Sequence, residues 1–334
     1  MSIPKIGILG AGSWGTALGI LLAKNGSEVM LWGHHAEHIA TMERTRTNEA
    51  YLPGVALPDQ LSPTSELEEL AGAQMILVVT PSRALREVSE RLAHVTSGDG
   101  QVLVSCTKGI ERGSGLRMSE VLAQIFPKAK VAALSGPSHA EEVSRGMPTA
   151  IVLACGDEMA AQEMQRMFNS PSFRTYTSGD VAGVELGGAL KNIFALGAGV
   201  CDGLGLGDNS KAALITRSLA ELIRLGTALG GRAETFQGLS GIGDLMVTCF
   251  SRHSRNRMVG ERLGRGETLE QITASMNMVA EGVPTSRSAY EQAQALNVST
   301  PIIAQIYRIL YEELSPKQAI RELMERDPKP ERAV

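Results

Sequence analysis

Three glycines near the start of the chain, Gly10, Gly12 and Gly15, have the spacing G-x-G-x-x-G. They follow a short apolar run and precede a stretch with the apolar period of a helix. In a strand–turn–helix unit the first glycine permits the tight turn, the second lets the backbone approach a pyrophosphate, and the third lets the helix pack on the strand. The N–H groups and the dipole at the helix start then hold the phosphates. The stretch therefore predicts a dinucleotide site rather than a plain strand-to-helix turn.

The residues after the second predicted strand, at 28–32, bear on which dinucleotide fits. An NAD-selective site usually has Asp or Glu there, which binds both hydroxyls of the adenosine ribose. This chain has Gly33, His34 and His35 instead. No carboxylate repels a 2′-phosphate here, and either histidine can donate a hydrogen bond to it. We therefore expect NADP to be favoured, or at least tolerated, beside NAD.

His34 and His38 also have the i, i+4 spacing of two metal ligands on a helix. No third ligand lies nearby in sequence, so the pattern of a zinc site is incomplete. We interpret both as partly solvated imidazoles at the adenosine end and expect no metal.

Two lysines and an aspartate stand where they can serve catalysis. Lys108 follows the predicted strand at 102–106, and the carboxyl ends of parallel strands face the crevice in which such sheets bind ligands. Lys191 lies in the middle of an otherwise uncharged, glycine-rich helix, and its apolar neighbours favour a buried site over a snorkelling side chain. So many glycines in a helix need a packing reason, and we expect it to be close approach to the first domain. Asp244 follows a glycine-rich turn. The alternatives are a solvated surface lysine for Lys108 and a turn or N-cap carboxylate for Asp244.

Two helix starts can bind an anion. Ser254, Arg255 and Asn256 open a predicted helix, so a hydroxyl, a guanidinium, an amide and backbone N–H groups converge there, which suits a phosphate dianion. The competing interpretation is a solvated basic helix end. The predicted strand at 131–134 leaves through 135–138, and a proline followed by acidic residues indicates another helix start facing the crevice.

The order of the predicted elements gives the fold class. Strands alternate with helices to about residue 180, which requires an α/β fold with a Rossmann-like, doubly wound, mostly parallel sheet. Prolines at 53, 58 and 63 predict a loop-rich passage within it, and 65–70 predicts a short helix. Only helical patterns follow, so we expect an all-α C-terminal domain. We place the NAD(P)-binding domain at 1–187 and the helical substrate and catalytic domain at 188–334, with fraying at 327–334.

Composition narrows the class of protein. The 334 residues are 43% apolar and 20% charged, which is typical of an ordinary globular protein with room for two cores. A net charge of −4 argues against a general nucleic-acid or anionic-membrane surface. We find no signal peptide at the start and no apolar run long enough to span a bilayer. The four cysteines form no C-x-x-C pair, which favours free thiols in a reducing cytoplasm over disulfides.

Taken together and in order, the motifs resemble those of the bacterial-type NAD(P)-dependent glycerol-3-phosphate dehydrogenases. The resemblance covers nearly the whole chain. The stretches that carry it are 10–17, 31–34, 107–109, 135–138, 186–192, 241–245, 254–257 and 279–282. The resemblance implies a Rossmann domain, a helical substrate domain and a cytoplasmic homodimer.

The resemblance also implies roles for individual residues. The cofactor is expected to contact the glycine turn and further residues spread over both domains: Gly10, Gly12, Ser13, Trp14, Gly15, His34, His35, Lys108, Ala140, Arg255, Val279 and Glu281. The substrate is expected to contact a second set, which overlaps the first: Lys108, Gly136, Ser138, Lys191, Asp244, Ser254, Arg255 and Asn256. Lys191 is the expected proton donor and acceptor, with Lys108 and Asp244 as catalytic partners.

The chemistry of the residues agrees with the expected reaction. Hydride arriving at a ketone carbon leaves negative charge on the carbonyl oxygen, which a preorganised cation stabilises before a proton is delivered. An ammonium does both. A charged Lys191 suits reduction of dihydroxyacetone phosphate by NADPH or NADH, and a neutral one suits oxidation of sn-glycerol 3-phosphate. The direction implied by the resemblance is reduction, which feeds glycerophospholipid synthesis.

Two other functions remain open at the level of the sequence. A β-hydroxyacid dehydrogenase-type reductase would also carry a lysine and an asparagine on the first helix of its second domain, usually three positions apart, whereas here Lys191 and Asn192 are adjacent. A non-enzymatic NADP-sensing regulator would keep the fold, but it would not need Lys108, Lys191 and Asp244 together.

Overall fold

The computed structural model describes residues 3–276, 279–328 and 330–331. Its strands are β1 (Lys5–Leu9), β2 (Glu28–Trp32), β3 (Thr47–Asn48), β4 (Leu52–Ala56), β5 (Leu61–Thr64), β6 (Met75–Val78), β7 (Val102–Ser105), β8 (Lys130–Ser135), β9 (Thr149–Cys155) and β10 (Phe173–Ser178). The fraying expected at 327–334 falls partly outside the described residues.

The helices of the first half are α1 (Ser13–Lys24), α2 (Ala36–Thr45), α3 (Leu85–Ala93), α4 (Met118–Ile125), α5 (Ala140–Ser144) and α6 (Glu158–Phe168). Those of the second half are α7 (Val181–Gly203), α8 (Asp208–Ala228), α9 (Ala233–Phe236), α10 (Asp244–Phe250), α11 (Arg255–Gly264), α12 (Leu269–Ala274), α13 (Gly282–Ala295), α14 (Pro301–Tyr311) and α15 (Pro316–Met324). Short 3-10 turns lie at Leu67–Leu70 and Ser82–Ala84, and a π turn lies at Leu239–Gly243.

Eight strands form one sheet in the order β10-β9-β8-β7-β6-β1-β2-β5. Every neighbouring pair is parallel except β8 and β9, so the predicted mostly parallel sheet is confirmed. Alternate side chains of β6 enter different cores: Met75 and Leu77 pack in one, and Ile76 and Val78 in the other. Because successive side chains of a strand point to opposite faces, helices cover both sides of the sheet.

The passage predicted to be loop-rich contains β4 and β5, and this part of the prediction was wrong. Pro63 lies inside β5, which forms the edge of the sheet and pairs only with β2. A proline cannot donate to a neighbouring strand, so it is tolerated at an edge whose outer side needs no partner. The prolines mark the end of the sheet rather than its absence.

The described residues of the second half form helices and no strand, as predicted, and α7 is the central helix. Most side chains of α7 are buried, and it packs against α8, α10, α11 and α13. The crossing with α11 is so close that a Cβ on Gly199 would lie 1.9 Å from the carbonyl oxygen of Arg257. Some α7 glycines therefore serve packing inside this half, whereas we expected them to face the first domain.

Helix α7 is also the one described helix that is long and apolar enough to cross a membrane, and its apolar stretch is wholly buried inside the protein. The predicted boundary between 187 and 188 falls within this helix, which begins at Val181, shortly after the last strand, β10. The division into two domains at that point stays a prediction.

Candidate active site

The glycine turn lies between β1 and α1. Gly10 has a φ of +130°, and a Cβ there would come within 2.7 Å of the Val79 carbonyl oxygen at the end of β6. A Cβ on Gly15 would lie 1.9 Å from the carbonyl oxygen of Gly10, so the turn and the helix can meet only without side chains. By contrast, a Cβ on Gly12 would contact nothing within 4 Å.

That open side belongs to the start of α1. Gly12 is the N-cap, no side chain caps the helix, and the first turn carries no acidic residue. Ser13 and Trp14 are its first two residues. The N–H groups and the positive end of the helix dipole are therefore available to phosphates, and the turn fits a dinucleotide.

The exit of β2 carries an aromatic and imidazole group but no carboxylate. The rings of His34 and His35 lie 3.7 Å apart between centroids, and the His34 ring lies 6.5 Å from that of Trp32. Burial, assisted by the charges of His35 and Arg91, holds the pKa of His34 below its usual 6.5. His38 is used elsewhere, because its Nε2 lies 2.9 Å from Asn48 Oδ1. Among the described residues no three His, Cys, Asp or Glu side chains form a metal-binding group.

Lys108, Lys191 and Asp244 meet at the carboxyl end of the sheet. Lys108 Nζ donates to Asp244 Oδ2 at 2.6 Å and to the Gly136 carbonyl oxygen at 3.2 Å. Lys191 Nζ donates to Asp244 Oδ1 and to Thr248 Oγ1. One carboxylate thus accepts from both ammonium groups, one on each oxygen. Asp244 is 1% exposed and Lys191 6% exposed, so these two are shielded from solvent, whereas the Lys108 side chain is 21% exposed.

Burial governs the protonation of Lys191. Desolvation and the nearby charge of Lys108 lower its pKa from 10.5 to about 7, against the opposing effect of Asp244. An ammonium with such a pKa gives up and regains its proton near neutrality, which is the property of a general acid and base. A buried lysine of this kind is also a common mark of a functional site.

A glycine seats Lys191 against the sheet. A Cβ on Gly188, one turn before Lys191, would lie 2.3 Å from Ser135 Oγ at the end of β8 and 3.5 Å from the Lys108 side chain. Only glycine lets α7 come this close to β8, and the expected approach to the first domain is observed at this position. The packing of α7 on the carboxyl ends of β7 and β8 thus brings together Lys108 and Lys191, which are far apart in sequence.

The turn after β8 forms the neighbouring wall. Gly136 has a φ of +149°, and its carbonyl oxygen accepts from Lys108 and, at 2.9 Å, from Ser138 Oγ. Ala140 is the buried first residue of α5. The predicted residues of this turn therefore border the lysine cluster.

The start of α11 holds the predicted anion-binding residues. Ser254 is the N-cap, and its Oγ accepts from the Arg257 backbone N–H at 3.2 Å. Arg255 is exposed, and one guanidinium nitrogen donates to the Val279 carbonyl oxygen at 3.0 Å. Arg255 and Val279, predicted separately, are thus in direct contact.

Asn256 is buried and makes its hydrogen bonds inside the protein. Its Nδ2 donates to Asn192 Oδ1 at 2.9 Å, and its Oδ1 accepts from the Gly282 backbone N–H at 2.8 Å. Because Asn192 directly follows Lys191, this amide ties the start of α11 to the catalytic turn of α7. The geometry gives Asn256 a positioning role between α7, α11 and α13.

Glu281 connects the second half to the end of β6. Its two carboxylate oxygens accept from the Ser82 backbone N–H at 3.0 Å and from Ser82 Oγ at 2.5 Å. Gly109, next to Lys108, passes close to Ser82. The predicted residues thus form a lysine cluster with the β8 turn, a group of Arg255, Val279 and Glu281, and the glycine turn with His34 and His35 at the far end of the crevice.

Sequence reasoning missed three side chains at this site. Thr248 lies one turn after Asp244 on α10, and its hydroxyl also donates to the Asp244 carbonyl oxygen at 2.6 Å. Ser82 donates two hydrogen bonds to the Glu281 carboxylate. His139 lies near enough for the charges of Lys191 and Lys108 to help burial lower its pKa. The i, i+4 spacing of Asp244 and Thr248 was the only available signal, since α10 was not predicted as a helix.

The chain as a whole is similar to known proteins of one family. Two family models, the N-terminus and the C-terminus of NAD-dependent glycerol-3-phosphate dehydrogenase, match residues 5–161 and 180–321. A glycerol-3-phosphate dehydrogenase (NAD(P)+) of Pelodictyon phaeoclathratiforme is 50% identical over 332 residues, which covers 98% of this chain and 99% of that protein. One of Geobacter metallireducens is also 50% identical over 332 residues, with the same coverage.

Solved structures give the same result. The crystal structure of glycerol-3-phosphate dehydrogenase from Coxiella burnetii has a TM-score of 0.93 and 39% identity, and the match covers 97% of this chain and 99% of that chain. The family models match both halves of the chain and the fold matches a solved member, so the chain belongs to the NAD-dependent glycerol-3-phosphate dehydrogenase family.

Proposed function

We propose that this protein reduces dihydroxyacetone phosphate to sn-glycerol 3-phosphate with NADPH or NADH, reversibly, and so supplies glycerophospholipid synthesis. The observation that carries the proposal is the buried Lys191, which shares Asp244 with Lys108 at the crevice edge of a dinucleotide-binding sheet. Identity near 50% to enzymes named for this reaction supports it.

The proposed division of labour follows from the charges. A bound nicotinamide supplies the hydride. Lys191 donates a hydrogen bond to the substrate carbonyl oxygen, stabilises the developing negative charge and delivers its proton to that oxygen. With a pKa of about 7, it then regains a proton from water at neutral pH.

Asp244 and Lys108 support Lys191. Asp244 orients the ammonium and favours its charged form, because its carboxylate accepts directly from Lys191. Lys108 carries a second positive charge that faces the same space and is held between Asp244 and Gly136. We propose that Lys108 contacts the substrate beside Gly136 and Ser138.

We assign the substrate phosphate to the start of α11. Arg255 is exposed there and is the group able to fork onto a phosphate. Ser254 caps the helix and Asn256 holds it to α7. We therefore propose that these two act mainly by placing Arg255 and the backbone N–H groups.

The cofactor is proposed to lie across the crevice, from the open side of Gly12 to the loop that carries Val279 and Glu281. Its phosphates would meet Ser13 and Trp14 at the start of α1, with Ala140 bordering the same crevice. Its adenosine would lie at His34 and His35, where no carboxylate repels a 2′-phosphate. Use of NADPH in preference to NADH is our proposal on that ground.

We further propose a cytoplasmic homodimer with an NAD(P)-binding domain at 1–187 and a helical substrate domain at 188–334. All four cysteines are free and buried, which suits a reducing compartment. Light scattering after gel filtration tests the dimer: a mass near that of one chain would refute it.

The decisive experiment follows NADPH absorbance with dihydroxyacetone phosphate as the substrate. We expect steady oxidation of NADPH, and reduction of NADP when glycerol 3-phosphate is offered. Dihydroxyacetone, which lacks the phosphate, should be a poor substrate, and a 2-keto acid should be inert. Turnover of the keto acid in place of dihydroxyacetone phosphate would overturn the proposal in favour of the β-hydroxyacid reaction.

A further inference from the structure

Arg91 stands beside the adenosine end of the crevice, although it comes from a different element. It lies in the last turn of α3, and its guanidinium carbon is 5.5 Å from the centre of the Trp32 ring at the end of β2. His34, two residues further, is near enough for the Arg91 charge to act on it. Helix α3 thus places the Arg91 cation at the end of β2, where the adenosine ribose is proposed to bind.

The side chain of Arg91 is exposed and has no carboxylate partner within 4.0 Å in the described parts of the chain. Arg86 on the same helix is different, because it makes two hydrogen bonds to Glu111, at 2.8 and 2.9 Å. The guanidinium carbon lies over the indole ring, 5.5 Å from its centre, and no carboxylate in the described residues holds the guanidinium N–H groups, so they can bind an anion.

The histidines alone cannot supply a constant charge at this place. Their ring centroids lie 3.7 Å apart with the ring planes tilted by 42°, and two imidazolium groups this close would repel each other. Burial and the neighbouring charges hold the pKa of His34 below its usual 6.5, which disfavours a lasting positive charge on that ring. A guanidinium keeps its charge at every physiological pH.

We propose that Arg91 is a specificity-determining residue that binds the 2′-phosphate of NADPH: its guanidinium lies over the Trp32 ring and donates N–H groups to the phosphate bound at His34 and His35. The inference rests on the proposed use of NADPH. The permanent positive charge that binds the 2′-phosphate would then come from Arg91 on α3. The sequence pattern indicated only His34 and His35, which follow β2.

A structural role for Arg91 is the competing explanation, since its side chain covers part of Trp32. Arg91→Met separates the two, because methionine keeps much of the apolar cover and removes the charge. Arg91→Lys restores a charge without the planar fork. Arg44→Met is the matched control: it removes one exposed arginine at the far end of α2, in the same half of the protein.

The experiment compares kcat/KM for NADPH and for NADH at about pH 8, with saturating dihydroxyacetone phosphate. We expect Arg91→Met to lower the NADPH value roughly 10- to 100-fold and to change the NADH value less than about threefold. Arg91→Lys should recover part of the NADPH value. Arg44→Met should change neither value by more than about twofold.

Binding of two nucleotide fragments keeps the test independent of turnover. Adenosine 2′,5′-bisphosphate carries the 2′-phosphate and 5′-AMP lacks it, so Arg91→Met should weaken only the first in a calorimetric titration. Equal losses for both fragments, or no loss for either, would overturn the role of Arg91. Failure of the wild-type protein to use NADPH at all would instead overturn the proposed cofactor. The wild-type assay alone gives that result, so the two failures can be told apart.

Discussion

Replacing Asp244 with Asn tests how the buried cluster sets the proton chemistry. The substitution keeps the shape of the side chain but removes the carboxylate that, among the described residues, is the only one to accept from Lys108 and Lys191. The two lysines then face each other without a counter-charge in a site from which solvent is nearly excluded. The ammonium form of Lys191 is the form that loses most.

The size of the effect can be worked out from the contacts. A hydrogen bond between charged groups contributes about 1.5–3 kcal/mol, and one pKa unit corresponds to about 1.36 kcal/mol. The pKa of Lys191, about 7 in the intact cluster, should therefore fall by about one to two units. The protonated fraction near pH 7.5 should drop about tenfold or more, and the rate by somewhat less, because a more acidic ammonium transfers its proton more readily.

The assay is kcat/KM for dihydroxyacetone phosphate measured from about pH 5 to 9. In the wild type we expect a decline above about pH 7, as Lys191 loses its proton, and in Asp244→Asn the same decline at lower pH. Breaking a buried ion pair also costs about 3–5 kcal/mol of stability. The position of the decline on the pH axis does not depend on how much enzyme is folded, so this cost leaves the test intact.

Glu185→Gln is the matched control. Glu185 is another buried carboxylate on α7, but it binds Arg117 and Ser119 instead of the lysines. Glu185→Gln should lose stability without changing the pH at which kcat/KM declines. Because the substrate is the same, titration of its phosphate affects this control and Asp244→Asn equally. A decline that stays near pH 7 in Asp244→Asn, or moves upward, would refute the reasoning that this carboxylate sustains the charge of Lys191.

Three further predictions concern single side chains. Lys191→Ala should lower turnover about 10²–10⁴-fold while NADPH still binds in a fluorescence titration; near-normal kcat would remove Lys191 from the mechanism. His34→Asp should weaken NADPH more than NADH, measured as the two KM values, because the new carboxylate faces the 2′-phosphate. Arg255→Ala should lower kcat/KM for dihydroxyacetone phosphate roughly 10- to 150-fold but hardly affect dihydroxyacetone, with partial rescue by lysine. Equal losses on both substrates would assign Arg255 to the cofactor loop, which it touches at Val279.

Much of the fold could be predicted because local patterns determine it. Continuous apolar runs such as the one at β6 indicate strands buried on both faces, and the glycine turn indicates its own strand and helix. The order of elements then leaves few topologies. The edge strand β5 was missed since proline argues against a strand unless its place in the sheet is known, and that place depends on pairing with β2.

The site was predictable as a set of residues but not as a set of contacts. Lys108, Lys191 and Asp244 each had a local reason for notice, yet nothing local shows that one carboxylate serves both lysines. Asn256 illustrates the limit. Its position at a helix start indicates anion binding, whereas both of its polar atoms bond to α7 and α13, which are remote in sequence. Long-range partners of this kind follow only from the packing.

The charge balance of the cluster gives a reason for its composition. Lys108 and Asp244 form a pair at 2.6 Å whose charges compensate each other, so the protonation of Lys191 decides whether the group carries one positive charge or none. A positive cluster in a place of low dielectric stabilises an oxyanion, and a neutral one can accept the proton of an alcohol. Lys191 would switch between these states near pH 7 because burial opposes the charge that Asp244 favours. Without the carboxylate Lys191 would favour its neutral form, and without Lys108 the repulsion that opposes its charge would be lost. Asp244, Lys108 and Lys191 together are therefore the smallest set that keeps Lys191 able to both donate and accept a proton near pH 7, as the two directions of the reaction require.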